Sequence, residues 1–162
     1  MYVVDDLDEV LPLSGLPVPS TGAPLARVFA GDTDLVLAYE VAPEGEQLAV
    51  VIFTQPRAHY FGPPNDEAIQ GHPLASRGIG PYGLFEIRHS SWIRTLERMN
   101  RVHPSHDASR FAAFRHFVFT FHDKTFECIS RGVALAATLP NNEETIARLQ
   151  LPIAFGGSTP FP

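Results

Sequence analysis

Residues 114–122 read FRHFVFTFH, the most strongly patterned stretch of the chain. Successive side chains of an extended strand point to opposite faces. Phe117, Phe119 and Phe121 therefore share one face, and His116, Val118, Thr120 and His122 share the other. A strand with three phenylalanines on one side must press that side against a core. Asp123-Lys124 reads as a two-residue turn into a second strand, TFECISR over residues 125–131. That turn predicts Phe121 opposite Phe126 and Phe119 opposite Cys128. On the other face it pairs Thr120 with Glu127, Val118 with Ile129 and His116 with Arg131.

The rest of the chain fits around this hairpin. Residues 34–42 (DLVLAYEVA) and 46–54 (EQLAVVIFT) are β-rich runs joined by Pro43-Glu44-Gly45, a turn signature. Their nearly unbroken apolar character predicts burial on both faces at the centre of a sheet. A long connection, residues 55–81, follows, and is either functional or hides a short helix around residues 65–70. Residues 82–88 (YGLFEIR) read as a strand that leads into a helix near residues 91–102, with Ser90 or Ser91 as its cap. Trp92, Leu96 and Met99 fall on one face of that helix, and Arg94, Arg98 and Arg101 on the opposite one. Gly132 bulges or ends the second hairpin strand before an apolar stretch, residues 133–139. Asn141, with Glu144 three residues on, predicts a capped short helix near residues 142–149.

The expectation is an α+β fold. An antiparallel sheet of about five to six strands packs against one main helix near residues 91–102 and a short C-terminal helix. Residues 1–25 read as an irregular acidic, proline-rich lead-in, residues 26–150 as a single domain, and residues 151–162 as a Pro/Gly-rich tail. At 162 residues such a chain can bury a core without staples. The single cysteine, Cys128, excludes an internal disulfide and a multi-cysteine zinc site; on the aromatic face it would be an inert buried thiol.

No run approaches the roughly 18 apolar residues of a membrane-spanning helix, and no signal-peptide pattern opens the chain, so a cytoplasmic location is expected. The net charge of −6 disfavours nucleic acid, although residues 86–131 carry eight bases against five acids. GIGPYG at residues 78–83 precedes a strand rather than a helix, which is the wrong context for a dinucleotide loop. No motif calls for a cofactor or assigns metal ligands.

Three clusters carry the chemistry that the sequence offers. In the loop FGPPNDEAIQGHPL, Asp66, Glu67 and His72 could run acid–base chemistry or hold a divalent metal. The same letters make an Asx-turn and helix start capped by Asn65 or Asp66. His103 and His106 straddle a proline-containing loop and lack the spacing that specifies zinc. The third is the polar face of the hairpin, with His116, Thr120, His122, Glu127 and Arg131. It is either the solvated side of a half-exposed sheet or the floor of a site.

Two functions follow as expectations. The first is a non-catalytic binding domain that recognises a protein partner or a small ligand on this His/carboxylate-lined face, with Asn65, His116, Thr120 and Arg131 touching the ligand. The alternative is a small acid–base or metal-dependent enzyme, with Asp66, Glu67, His72, His122 and Glu127 as its candidate catalytic groups between the 61–74 loop and the hairpin.

Overall fold

The computed structural model describes residues 2–22, 26–42 and 46–155, with the backbone alone for residues 150–155. The predicted turn at Pro43-Glu44-Gly45 and most of the predicted tail lie outside the described residues. The architecture is α+β, but the expected single sheet of about five to six strands is corrected to two antiparallel sheets, with nine strands among the described residues.

One sheet has four strands: β2 (Arg27–Ala30), β3 (Leu35–Glu40), β4 (Gln47–Thr54) and β9 (Gly132–Pro140), side by side in that order. The other has five, in the order β1 (Glu9–Pro12), β6 (Leu84–Arg88), β7 (Arg115–Thr120), β8 (Thr125–Ser130) and β5 (Ala58–Gly62). The apolar runs β3 and β4 are the inner strands of their sheet, as their composition predicts. Apolar patterning on both faces needs a cover on both faces, and two different layers supply it. Leu35, Leu37, Tyr39, Val51 and Phe53 meet Phe117, Phe119, Phe121, Phe126 and Cys128 in the central core. Phe53 lies 5.1–6.1 Å, ring centre to ring centre, from Phe117, Phe119 and Phe126. On the opposite side, helix α2 (Glu143–Phe155) brings Leu149 against Ala38 and Val50.

The reason for two sheets is visible at residue 131. Here the chain leaves β8 in one sheet and enters β9 in the other, with Arg131 N–H donating to Thr54 O (2.8 Å). Gly132 therefore marks a change of sheet rather than a bulge within one strand.

The hairpin faces are as the alternation demands, but its register is corrected. The chain reverses over His122-Asp123, one residue earlier than expected, with Phe121 N–H donating to Lys124 O (2.9 Å). Phe119 thus faces Phe126, Val118 faces Glu127, His116 faces Ile129 and Thr120 faces Thr125. Moving the turn by one residue slides the pairing by two, and a slip of two keeps every side chain on its own face.

The outer face of the five-stranded sheet is covered too. Helix α1 (Ser91–Asn100), two 3₁₀ turns at Ile69–Gly71 and Ala75–Arg77, and the segment around Tyr2 form a lid over it. Tyr2, Ile69, Leu74, Ile79, Ile87 and Val118 make a second apolar cluster there, joined by Trp92. Helix α1 is capped by Ser90 Oγ, which accepts from Ile93 N–H (3.3 Å). Docking is concentrated in its first turn, where Ser91 is buried. Met99, expected on the core face, is 67% exposed in the last turn. Asn142 rather than Asn141 caps α2, accepting from Thr145 N–H (2.9 Å), while Asn141 bonds Glu40 (2.9 Å).

Candidate functional site

Glu127 decides how the polar face of the hairpin is to be read. It sits mid-strand in β8 among apolar neighbours, and a carboxylate there needs donors or it destabilises the fold. Burial alone would raise its pKa. The donors around it win, and hold it at about 2 instead of 4.5. His116 Nε2 lies 3.0 Å from Oε2, His72 Nε2 3.3 Å from Oε1, and Tyr2 Oη donates to Oε2 at 2.6 Å.

The two imidazoles are themselves set. Leu74 N–H donates to His72 Nδ1 (3.1 Å), which puts the donating hydrogen of His72 on Nε2. His116 turns Nε2 to the carboxylate, which can only accept, so the hydrogen of the neutral ring lies there and Nδ1 accepts from the Ser90 hydroxyl (2.9 Å). Tyr2 stacks on Trp92 with ring centres 5.3 Å apart, and its edge-on contact with His116 is 5.4 Å. Burial, followed by the nearby carboxylate, pushes the Tyr2 phenol well above its ordinary range. His116 and Glu127 are exposed by 0% and 1%, so this face is a covered layer and not wet surface.

A second cluster lies at the hairpin turn. Asp66 N–H donates to His122 O (2.9 Å) and Thr125 Oγ1 to Pro64 O (3.0 Å), which pins the long loop to the turn. Tyr82 Oη donates to Asp66 Oδ2 (2.5 Å), and His122 Nδ1 is 2.9 Å from the same oxygen. The Tyr82 and His122 rings lie nearly parallel, 6.4 Å apart. The Tyr82 bond, then the His122 bond, hold the Asp66 carboxyl below its ordinary range. The same carboxylate raises His122, and its bond to Tyr82 pushes that phenol up to about 12. The His122 side chain is 41% exposed.

The long loop thus meets the hairpin, but at two separate places. His72 and Glu127 share one cluster; His122, expected beside Glu127, sits in the turn and belongs to Asp66 instead. The remaining candidates have structural partners. Asn65 Oδ1 accepts from Ala68 N–H (3.1 Å). Thr120 Oγ1 accepts from Gly83 N–H and donates to Gly80 O (both 2.8 Å). The exposed Arg131 lies over the Phe114 ring at 5.9 Å rather than opposite His116. Glu67 is exposed. His106 bonds Glu97 and Asn100 (both 3.0 Å). Cys128 is fully buried, and burial pushes its thiol up to about 12, as an inert cysteine requires. Among the described residues, no group of three His, Cys, Asp or Glu side chains is placed to hold a metal ion.

Tyr2, Ser90 and Tyr82 are the participants that sequence patterning missed. The signal that could have found Tyr2 is Glu127 itself, since a carboxylate on a buried strand face demands several donors from elsewhere in the chain.

A third region is a groove of about 450 Å³ at the end of β6. Leu7, Ile93, Phe111 and Phe114 contribute apolar surface, and Arg88, Arg94 and Arg115 line it together with one carboxylate, Glu86. Arg115 grips Glu86 through two bonds (2.8 and 2.5 Å), and Arg94 Nη2 bonds Asp5 (2.5 Å). Arg88 is exposed and acts on Glu86 through its charge. The rest of the helical arginine stripe is engaged locally, Arg98 with Thr95 (2.9 Å) and Arg101 with Glu97 (3.0 and 2.9 Å).

No protein-family model, no curated protein and no solved structure matches this chain. Among the described residues, no helix is long and apolar enough to cross a membrane.

Proposed function

We propose that this chain is a non-catalytic binding domain of the cytosol whose ligand enters the groove beside β6 and α1. The observation that carries this reading is the composition of the groove: over apolar surface stand three guanidinium groups, of which Arg115 is paired with Glu86 and Arg94 with Asp5, while the exposed Arg88 touches Glu86 through its charge alone. The matching chemistry is an anionic group attached to an apolar one. A small carboxylate or phosphate with an alkyl or aryl part has it, and so does an acidic residue beside an apolar anchor on a partner protein. The His/carboxylate face named by the sequence is a less suitable surface, because its groups already satisfy one another under a lid.

Hexanoate and hexyl phosphate, with hexanol as the uncharged control, test this reading by calorimetric titration. Both anions are expected to bind saturably, and Arg88→Glu to weaken them about tenfold, an effect of about 1.4 kcal/mol. Equal heats from hexanol and hexanoate would overturn it.

One observation favours a second reading, an acid–base enzyme working at the hairpin turn. His122 presents Nδ1 to Asp66 at 2.9 Å, the relation in which a carboxylate orients a general base. The assay is p-nitrophenyl acetate hydrolysis by wild type, His122→Gln and His103→Gln. A fall of about a hundredfold confined to His122→Gln supports this reading, at the low end for an oriented base. Equal small losses in both variants dispose of it.

A further inference from the structure

The niche that holds Tyr2 is built without any contribution from the segment that carries Tyr2. Its stacking wall is Trp92 of α1, its edge is His116 of β7, and its acceptor is Glu127 of β8. Each is fixed from behind. Ser90 sets His116 and is itself set as the cap of α1; Leu74 N–H and the end of a 3₁₀ turn set His72, the remaining donor to Glu127. Removing Tyr2 would leave a carboxylate one donor short beside an open indole face.

The segment that delivers Tyr2 is held far less firmly. Val3 is 84% exposed and Leu7 62% exposed, while Val4 packs at the margin of the outer cluster. Asp5 and Asp6 are tied by surface ion pairs to Arg94 and Arg77, contacts that solvent screens and that contribute little. The first buried anchor is Asp8, which accepts from Ser91 N–H at 2.7 Å. Local opening of residues 2–7 therefore costs much less than unfolding.

We infer that this niche is a binding site for a para-hydroxyphenyl group, occupied in cis by the chain's own Tyr2 and open to a phenol in trans when that segment lifts. The chemistry is selective. A ring without the hydroxyl leaves Glu127 a donor short, and a site built to bond a hydroxyl rejects the analogue that lacks it. A phosphorylated phenol brings negative charge to a buried carboxylate and is excluded. The tethered Tyr2 competes at an effective concentration of order millimolar, so a free phenol binds the intact chain weakly.

Trp92 is the chain's one tryptophan, so its emission, excited at the red edge, reports the niche directly. In Tyr2→Ala, p-cresol is expected to give a saturable change, with toluene at least about tenfold weaker. Wild type should need about tenfold more p-cresol than Tyr2→Ala. Tyr2→Ala combined with Glu127→Gln, which exchanges a charged acceptor for a neutral one, should narrow the preference for p-cresol over toluene. N-acetyltyrosinamide separates the sources of the ligand: its binding admits a tyrosine side chain of another protein, and its failure beside p-cresol binding restricts the niche to free phenols. Equal binding of p-cresol and toluene to Tyr2→Ala, or no saturation with either, overturns the inference. If Tyr2→Ala does not fold, Tyr2→Phe replaces it. The tethered ring of that variant, lacking the hydroxyl, should yield to p-cresol at a several-fold lower concentration than the wild-type ring does. Identical curves for the two chains overturn the inference equally.

Discussion

The two polar clusters use the same residue types and differ in where they sit. Glu127 with His72, His116 and Tyr2 lies sealed between a sheet and its lid; Asp66 with His122 and Tyr82 lies at an open turn. Both hold a carboxylate below its ordinary pKa by hydrogen bonds. In the buried cluster those bonds must also outweigh the desolvation of the charge, so every donor is needed. At the turn, water can replace any one partner. Burial thus makes the Glu127 cluster demand a donor in every place and leaves the turn open to water, which is why the turn keeps the acid–base reading alive.

Breaking the carboxylates should expose this difference most strongly. Glu127→Ala removes the acceptor for three buried donors, and a loss of about 3–5 kcal/mol is expected from urea unfolding, since each buried donor left without an acceptor costs about 1–3 kcal/mol. That is a large part of the roughly 5–15 kcal/mol that holds a domain together. A loss below about 1 kcal/mol would mean that the lid opens to admit water. Tyr2→Phe, which removes one bond to a charged acceptor, should cost about 1.5–3 kcal/mol.

Titration sharpens the contrast, because both carboxylates lose their contribution in acid, whereas His122 adds to the turn a loss as pH rises. The folded-state pKa of Glu127 lies below its ordinary value of 4.5, so its contribution is whole above pH 4.5 and fades as pH falls towards 2. Wild type should therefore lose more stability than Glu127→Gln over that interval. His122 is raised above its ordinary 6.5, so its contribution is whole below pH 6.5 and is lost as pH rises through the folded-state value. Unfolding midpoints of wild type and His122→Ala should differ at pH 6 and converge in alkali. The smallest effect is that of His122→Ala itself, because water screens the exposed pair; a loss as large as that of Tyr2→Phe would show that the turn is as firmly built as the lid.

Much of this was legible in the residues. Strict alternation in β7 sorted Phe117 and Phe119 from His116 and Thr120, because the pleat leaves no other arrangement. The unbroken apolar runs of β3 and β4 announced inner strands. The short edges were less visible: β1 and β5 span four and five residues, beside prolines and charges, and only pairing with a neighbour makes them strands. The groove joins residues from five stretches of chain, from Leu7 to Arg115, and no local pattern connects them.

The sequence by itself determined that one side of the hairpin is phenylalanine, that Cys128 is an inert thiol among those rings, and that Glu127 stands on the opposite face from them. These are consequences of covalent order and of a two-residue repeat. Only the tertiary structure decided what that opposite face meets. Whether Glu127 is wet or sealed depends on Tyr2, 125 residues away, and on His72, 55 residues away. Such contacts follow from how layers stack, and the energy that selects the stacking is spread over apolar surface that carries no address for any single polar group.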